Sequence, residues 1–442
     1  MTRNLGKRTL DYTESLCPIC LKVVDAQVTE RDGAVYMRKE CPDHGPMIVY
    51  LWPDVEHYNW IRSFRFPKKP PKTEIALTKG CPFDCGLCSE HLRCATLAEI
   101  EVTLHCNLRC PVCFMSAGDS EPDPSMETLE SMYTTILQQA GPQTSIQLTG
   151  GEPTVRKDLL DIIRLGREVG FPAIEVNTNG IVLARHPEYA QQLRDAGATG
   201  VYMQFDGLSR DVYEKIRGED LLAAKLQAIE NCRVAGLQVV LAMTIISGIN
   251  HEHIGQVLNF ALDNLDVVVG LALQPAFTSG RFDIREEKSL TMGDVLFMLE
   301  DQSNGMINAY DLWPLGCSHP LCSCATHLIK DGDKVIPFTR LISREECLAL
   351  YEPNSPQGSI FADIIAKRDG EISRGLSLVV MNYMDAMTVE LERLKECSML
   401  ETMEDGRLIP FCAYQLTNLS GERIYTPWGR DGIRRSEVRK YA

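Results

Sequence analysis

The sequence has no long run of apolar residues. Its longest near-continuous apolar stretch extends from Leu237 to Ile246, well short of the roughly 18 residues that cross a bilayer. The N-terminus is polar and contains no apolar segment of the kind found in secretory signals. We therefore expect a cytoplasmic protein without a transmembrane segment, for which peripheral contact with a membrane stays open.

Basic blocks, repeats and low-complexity tracts are also missing from the sequence. The 442 residues carry 45 Lys and Arg against 60 Asp and Glu, which gives a net charge of -15. Because a nucleic-acid backbone is bound mainly by clustered basic side chains, this balance predicts no nucleic-acid partner. With 44% hydrophobic residues, the chain is long enough to bury a full core and to form more than one structural unit.

Cysteine, by contrast, is abundant, with 17 residues in the chain. A reducing compartment does not sustain structural disulfides, so this many cysteines indicate metal ligation. Most of them fall into four tight groups. Cys232 and Cys347 stand alone, and we interpret each as a small buried apolar residue.

The first cysteine group lies in residues 1–75, for which we predict a small metal-binding domain. Cys17-Pro-Ile-Cys20 and Cys41-Pro-Asp-His44 flank a strand-like stretch at residues 34–38. Two such turns facing each other hold one tetrahedral metal in rubredoxins and zinc ribbons. A set of three cysteines and one histidine is commoner for zinc than for iron, but the sequence leaves the choice between the two metals open.

The second group lies in residues 76–96, on a loop that contains glycine and proline. Four thiolates at this spacing suit an iron–sulfur cluster whose irons are all bound by the protein, with zinc as the alternative. The predicted ligands are Cys81, Cys85, Cys88 and Cys94.

Residues 97–281 alternate short apolar runs with amphipathic stretches. This alternation is typical of parallel strands joined by helices, and it predicts an α/β fold with a partial, TIM-like (β/α)6 barrel whose chemistry lies at the carboxyl ends of the strands. The predicted strands are Ile100–Leu104, Ser145–Leu148, Ala173–Val176, Gly200–Phe205, Val239–Ile245 and Val267–Leu273. The predicted helices are Met126–Gln139, Arg156–Val169, Arg210–Ala235 and His253–Leu262, followed in residues 282–442 by Met292–Leu299 and Met384–Lys395.

The third cysteine group directly follows the first predicted strand and reads Cys106-Asn-Leu-Arg-Cys110-Pro-Val-Cys113-Phe114. Three cysteines hold three irons of a four-iron, four-sulfur cluster and leave the fourth iron open to the amino and carboxylate groups of S-adenosylmethionine (SAM). This spacing, followed by an aromatic residue, is the radical SAM signature. We therefore predict that Cys106, Cys110 and Cys113 bind the cluster that cleaves SAM.

Glycine-rich and polar segments follow the later predicted strands, where contacts to SAM are expected. Their order after the cysteine loop supports the radical SAM interpretation more strongly than any one segment does. For Asp206, a contact with the SAM ribose or the substrate and a role as a helix N-cap are both consistent with its place at a strand end. The predicted cofactor-binding residues are Phe114, Gly150, Gly151, Glu152, Pro153, Asn177, Asn179, Asp206, Ser247 and Gln274.

These motifs together resemble the archaeal and bacterial radical SAM family that contains the tetraether lipid synthases and the pterin methyltransferases. The resemblance spans nearly the whole chain and implies a rubredoxin-like metal site and auxiliary iron–sulfur clusters, the last of them in a C-terminal extension of residues 282–442. The implied ligands of that last cluster are Cys317, Cys322, Cys397 and Cys412, with Cys324 as a rival ligand. The expected cofactors are thus SAM, three four-iron clusters and one mononuclear iron or zinc.

The same resemblance implies an enzyme that generates a 5′-deoxyadenosyl radical and forms a carbon–carbon bond at an unactivated carbon, by coupling lipid alkyl chains or by methylation. A flavodoxin or a ferredoxin is the expected reductant. Radical dehydrogenation, deoxygenation or peptide maturation on a small polar substrate is the alternative. A non-enzymatic electron carrier is disfavoured, because a carrier has no use for an iron open to SAM.

Two further sets of residues bear on the substrate. Met381, Met384 and Met387 either line a channel for an apolar substrate or, as their helical spacing favours, belong to the core. The candidates for binding a compact polar substrate are Gln274, Thr278, Arg281 and Arg340.

Overall fold

The computed structural model describes residues 8–68, 70–71, 75–118, 122–284, 288–332, 334–350 and 375–429. The strands are β1 (Arg8–Leu16), β2 (Val23–Arg31), β3 (Ala34–Cys41), β4 (Gly45–Trp52), β5 (Leu97–Thr103), β6 (Val112–Cys113), β7 (Ser145–Gly150), β8 (Ile174–Thr178), β9 (Gly200–Gln204), β10 (Gln238–Ile245), β11 (Val268–Pro275), β12 (Arg281–Phe282), β13 (Trp313–Pro314), β14 (Ser323–Asp331), β15 (Lys334–Pro337), β16 (Gly375–Met381), β17 (Met399–Thr402) and β18 (Leu408–Pro410). The helices are α1 (Val55–Arg62), α2 (Met126–Gln139), α3 (Leu159–Val169), α4 (Ile181–Arg185), α5 (Pro187–Ala196), α6 (Arg210–Arg217), α7 (Leu222–Ala235), α8 (Ile254–Asp263), α9 (Met292–Gln302), α10 (Arg344–Leu350), α11 (Leu391–Lys395) and α12 (Phe411–Gln415).

The first four strands form an antiparallel sheet of their own, in the order β1-β2-β3-β4. Apolar residues alternate along β2, so that Val24, Ala26 and Val28 are buried on one face. The cysteine turns lie between β1 and β2 and between β3 and β4. This is the arrangement expected of a ribbon whose two turns share one metal.

The second sheet has twelve strands in the described part of the chain, and its central strands run in chain order from β5 through β7, β8, β9 and β10 to β11. These six strands are parallel to one another, which confirms the predicted α/β barrel class. Their carboxyl ends therefore meet on one side of the sheet, where the cysteine loop and the polar segments follow them.

The C-terminal part of the chain extends this barrel at both edges. Strand β16 pairs in parallel with β11, and β17 pairs in parallel with β5 through Leu400 and Ala98. The parallel part of the sheet thus has eight strands, two more than the sequence predicted. The predicted boundary between residues 281 and 282 does not separate two sheets, because residues on both sides of it hydrogen-bond into the same one.

Three predicted helices differ from the structure. The stretch Arg210–Ala235 forms two helices, because Gly218 takes a left-handed conformation (φ +84°) and ends α6. The helix predicted from Arg156 begins at Leu159, since Arg156 itself is extended. Helices α4 and α5 were not predicted from the sequence.

The helix predicted at Met384–Lys395 is wrong for all but its last turn, α11. The carbonyls of Ala386 and Met387 accept hydrogen bonds from the buried Lys39 ammonium at 3.1 and 2.7 Å, while Asp385 Oδ1 accepts from the backbone of Met387 and Thr388. These contacts compete with helical hydrogen bonds and dock the N-terminal ribbon onto the barrel. The helical spacing assumed for the three methionines is therefore also wrong, since Met381 ends strand β16.

Candidate active site and metal centres

A cavity of about 460 Å³ opens at the carboxyl ends of the parallel strands. The three cysteines of the predicted SAM loop line it together with eight of the predicted cofactor-binding residues: Phe114, Gly150, Gly151, Glu152, Pro153, Asn177, Asn179 and Gln274. Asp206 and Ser247 are not among the described residues that line the cavity. If they contribute to SAM binding, they do so indirectly or at the rim of the cavity.

The segment that follows β11 packs against the cysteine loop and hydrogen-bonds with it. Strand β12 pairs with β6 inside the loop, and Arg281 Nε donates to the carbonyl of Cys110 at 2.7 Å. A Cβ at Gly280 would lie 2.2 Å from the carbonyl oxygen of Phe114, so only glycine permits this approach. Arg281, a candidate for substrate binding, therefore positions the loop instead.

The Gly150-Gly151 turn packs against the chain that leads into the loop. Gly150 has φ +128°, and a Cβ there would lie 2.0 Å from the carbonyl oxygen of Thr103. A Cβ on Gly151 would lie 2.1 Å from that of His105. Both glycines are thus required by close backbone contact, and both line the cavity beside the predicted cluster ligands.

Glu152 connects this turn to the end of the neighbouring strand β8. Its carboxylate accepts from the Thr178 hydroxyl at 2.7 Å and from the backbone N–H of Asn179 at 2.6 Å. Burial raises the pKa of Glu152, and these hydrogen bonds oppose the shift. Asn179 in turn donates to the side chain of Asn107 at 2.7 Å, inside the cysteine loop. The predicted SAM-binding segments therefore form one hydrogen-bonded unit.

Asp206 is the counterion of a buried arginine. Its two oxygens accept from Arg217 at 2.8 and 2.9 Å, and Arg217 lines the cavity. Burial alone would raise the pKa of Asp206, but the adjacent guanidinium outweighs it and holds that pKa below its usual value. The N-cap alternative is wrong, since Ser209 precedes α6. Nothing in the sequence pattern pointed to Arg217.

The three thiols of the loop are partly buried at the cavity wall. Burial raises the pKa of Cys106 to about 12, and it also raises that of Cys110 against the opposing charge of Arg217. Metal binding would drive these thiols to thiolates. Three cysteines on one loop, with an open cavity beside them, fit a cluster that keeps one iron free for SAM.

The N-terminal cysteines and His44 form a tetrahedral donor set. Zinc bond lengths of about 2.3 Å to sulfur and 2.0–2.1 Å to nitrogen imply ligand separations of about 3.8 Å between two sulfurs and about 3.6 Å between sulfur and nitrogen. The structure has 3.8 Å between the sulfurs of Cys20 and Cys41, and His44 Nδ1 lies 3.5 and 3.4 Å from those of Cys17 and Cys41. The four predicted ligands are thus already arranged for one metal ion.

The second cysteine group borders a small pocket of its own. Cys81, Cys85 and Cys88 line it, and Cys81 and Cys88 both act on the buried Cys85 thiol, whose pKa is raised by its hydrogen bond with Cys81 and by burial. The structure thus brings together three of the four predicted ligands. Cys94 remains a predicted ligand.

In the C-terminal group, Cys322, Cys397 and Cys412 lie close enough for the charge of one thiol to affect the pKa of another. Burial raises the pKa of Cys412 to about 12 and that of Cys397 well above its usual value, with added effects of the other thiols. Of these three thiols, Cys322 alone also acts on Cys324, which is fully buried in the main hydrophobic core. This geometry favours Cys397 over Cys324, and Cys317 as the fourth ligand stays a prediction.

Comparison with known proteins decides the family. The model of the radical SAM superfamily matches residues 100–261, and that of the HMPTM N-terminal zinc ribbon domain matches residues 9–53. The 7,8-dihydro-6-hydroxymethylpterin dimethyltransferase of Methanocaldococcus jannaschii is 33% identical, over 93% of each chain. This chain belongs to the same radical SAM family.

Other known proteins are similar to parts of the chain. The GTP 3′,8-cyclase of Erythrobacter litoralis is 34% identical over 37% of this chain and 49% of its own. The crystal structure of Streptococcus suis SuiB bound to S-adenosylmethionine covers 77% of this chain and 65% of its own at 12% identity and a TM-score of 0.49.

Membership of this radical SAM family confirms an enzyme that uses SAM and a four-iron cluster, and it also supports a mononuclear metal in the ribbon. Enzymes of this family need a reductant. No helix in the described part of the chain is both long and apolar enough to cross a membrane.

Two corrections concern the residues expected to meet a substrate. Arg340 forms an ion pair with Asp311 and is not among the described residues that line the cavity. Thr278, whose backbone N–H donates to Asp385 at 3.0 Å, is not among them either. Of the four polar candidates, Gln274 alone is among the described residues that line the cavity. Glu99, Gln147 and Tyr202 also line the cavity, deeper in the barrel, and were not predicted from the sequence. In the sequence, such residues are recognisable as polar side chains that alternate with apolar ones along a strand. The clearest case is Leu-Ala-Glu-Ile-Glu in β5.

Proposed function

We propose that this radical SAM enzyme attaches a one-carbon unit to an unactivated carbon of a reduced pterin. One observation carries the proposal: a single cavity has the predicted cluster cysteines at one end and a group of polar side chains from the barrel interior at the other. The dimethyltransferase of Methanocaldococcus jannaschii, whose name gives 7,8-dihydro-6-hydroxymethylpterin as its substrate, aligns over 93% of both chains.

The polar end of the cavity favours a compact substrate over a lipid. Gln274 Nε2 donates to the Tyr202 hydroxyl at 2.6 Å, and Gln147 Nε2 donates to Glu175 at 3.0 Å. Side chains fixed in this way are typical of pockets that orient a small ligand by a few hydrogen bonds. An alkyl chain offers no hydrogen bond to these side chains and would cover their polar atoms with apolar surface, so lipid coupling is not favoured.

An aromatic wall borders the same cavity and suits a flat ring. Phe114, which follows the last cluster cysteine, lies 5.7 Å from Phe277 and 5.5 Å from Phe411 between ring centroids. Tyr383 lies 4.7 Å from Phe411. Planar heterocycles pack well against such surfaces.

A cluster held by Cys106, Cys110 and Cys113 would supply the reductive cleavage of SAM, and with it a radical able to remove hydrogen from a C–H bond. The chain's own residues hold the reactants. Glu152 and the Gly150-Gly151 turn keep the SAM-binding segments in place, and the aromatic wall excludes water from the reacting atoms. Orientation of this kind accounts for several kcal/mol of a reaction barrier.

The test measures transfer of deuterium from substrate to 5′-deoxyadenosine. Reconstituted enzyme with dithionite and SAM would receive either 6-hydroxymethyl-7,8-dihydropterin deuterated at its carbon positions or a deuterated lipid extract. We expect label from the pterin, and none in a Cys106→Ala, Cys110→Ala, Cys113→Ala variant. Label from the lipid extract together with none from the pterin would overturn the proposal.

A further inference from the structure

The interior of this barrel is polar at a level where TIM-type barrels are usually filled by branched aliphatic side chains. Glu99, Gln147, Tyr202 and Gln274 line the cavity from strands β5, β7, β9 and β11, while the small Ala242 of β10 leaves space beside them. Buried polar groups are costly unless they have partners. Gln147, Tyr202 and Gln274 have such partners within the barrel, whereas the charged groups that act on Glu99 are acidic. A ligand with N–H donors explains the presence of this carboxyl group.

Glu99 is the one carboxylate of this group, and it is flanked on both sides. Its register partners are Gln147 on β7 and Glu401 on β17. Glu99 is 3% exposed and Glu401 is fully buried. Glu401 Oε1 accepts from Gln415 at 3.1 Å, and the Glu401 carboxyl group also hydrogen-bonds with that of Glu99.

No basic side chain in the described part of the chain forms an ion pair with Glu99. The groups that act on it are acidic: Glu401 beside it and Glu101 two residues further along β5, whose carboxylate accepts from the Tyr414 hydroxyl at 2.8 Å. Burial raises the pKa of both Glu99 and Glu401, and the hydrogen bond between them raises the pKa of Glu401 further while it opposes the shift of Glu99. Glu401 therefore holds the shared proton and Glu99 accepts it as the carboxylate. Of these three groups, Glu99 faces the cavity, and it therefore has capacity to accept hydrogen bonds from a ligand.

Resting on the proposed function, we infer that Glu99 selects the substrate by accepting two parallel N–H bonds from the 2-amino-4-oxo edge of its ring. The ring N–H and the 2-amino group of a pterin point in the same direction, as do two N–H groups of a guanidinium. A carboxylate binds such a pair with two parallel hydrogen bonds. Tyr202, whose oxygen already accepts from Gln274, has its own hydrogen left to donate to the 4-oxo oxygen.

The test compares two probes, 6-hydroxymethylpterin and 6-hydroxymethyllumazine, which carries a carbonyl in place of the 2-amino group. Binding to the reconstituted full-length protein would be measured by equilibrium dialysis. Wild-type protein should prefer the pterin by at least about tenfold, because a hydrogen bond to a charged group contributes that much. Glu99→Gln should lose most of this preference, since an amide N–H can donate to the lumazine carbonyl.

Glu101→Gln is the matched control, because it neutralises a buried carboxyl group of the same strand outside the cavity lining. It should keep the wild-type preference. If Glu99→Gln keeps the preference as well, the inference is overturned while the pterin substrate stands. If wild-type protein binds neither probe, the proposed function fails and the inference with it. Should Glu99→Gln not fold, wild-type selectivity decides alone: equal affinity for the two probes overturns the inference.

Discussion

Replacing Asp206 by Asn tests how much the buried ion pair between Asp206 and Arg217 contributes to the free energy of unfolding. Asp206 is fully buried, and Arg217 is 10% exposed at its side chain. Removing one partner of such a pair costs about 3–5 kcal/mol, because the other charge stays buried without compensation. Burial already lowers the pKa of the neighbouring Lys225 to about 7, against the opposing effect of Asp206. In the variant Lys225 can become neutral, so we expect a loss near the lower limit, about 3 kcal/mol.

The assay is urea unfolding at pH 7.5, roughly the physiological range in which carboxylates of ordinary pKa are ionised, followed by circular dichroism. The double variant Asp206→Leu, Arg217→Met should recover most of the lost stability, since it removes both charges. Glu214→Gln, in an exposed ion pair with Arg210, should change little. Asp206 has a lowered pKa, so its contribution is present above the unfolded pKa of about 3.9 and is lost as the pH falls below it. A loss under about 1 kcal/mol for Asp206→Asn would refute this account.

Three further predictions concern the cofactor sites. Gly151→Ala should weaken SAM binding in equilibrium dialysis by about tenfold or more, because the new methyl group would lie 2.1 Å from the His105 carbonyl oxygen; unchanged affinity would mean that the turn adapts. His44→Ala should lower the content of the N-terminal metal in elemental analysis while the iron–sulfur absorbance persists; full metal occupancy would exclude His44 as a ligand. Cys322→Ala should lose about four irons whereas Cys324→Ala should lose none, and the opposite result would reverse the ligand assignment.

The radical SAM chemistry was predictable from the sequence because its ligands are local. Cys106, Cys110 and Cys113 lie within one loop, and the spacing of cluster ligands within a loop is independent of the rest of the fold. The six central strands were predictable for a similar reason, since each is a short local segment rich in apolar residues. The two metal turns of the ribbon also carry their chemistry within four residues each.

Only the tertiary structure decided which distant residues share a site. Glu99 and Glu401 are 302 residues apart and meet because β17 pairs in parallel with β5, a register that no local pattern encodes. The role of Asp206 likewise depends on Arg217 from the following helix, and that of Arg281 on the carbonyl of Cys110. The sequence by itself thus determined the cofactor chemistry through short ligand spacings. The substrate end of the cavity was decided by long-range strand pairing, because its polar side chains come from strands across the whole barrel.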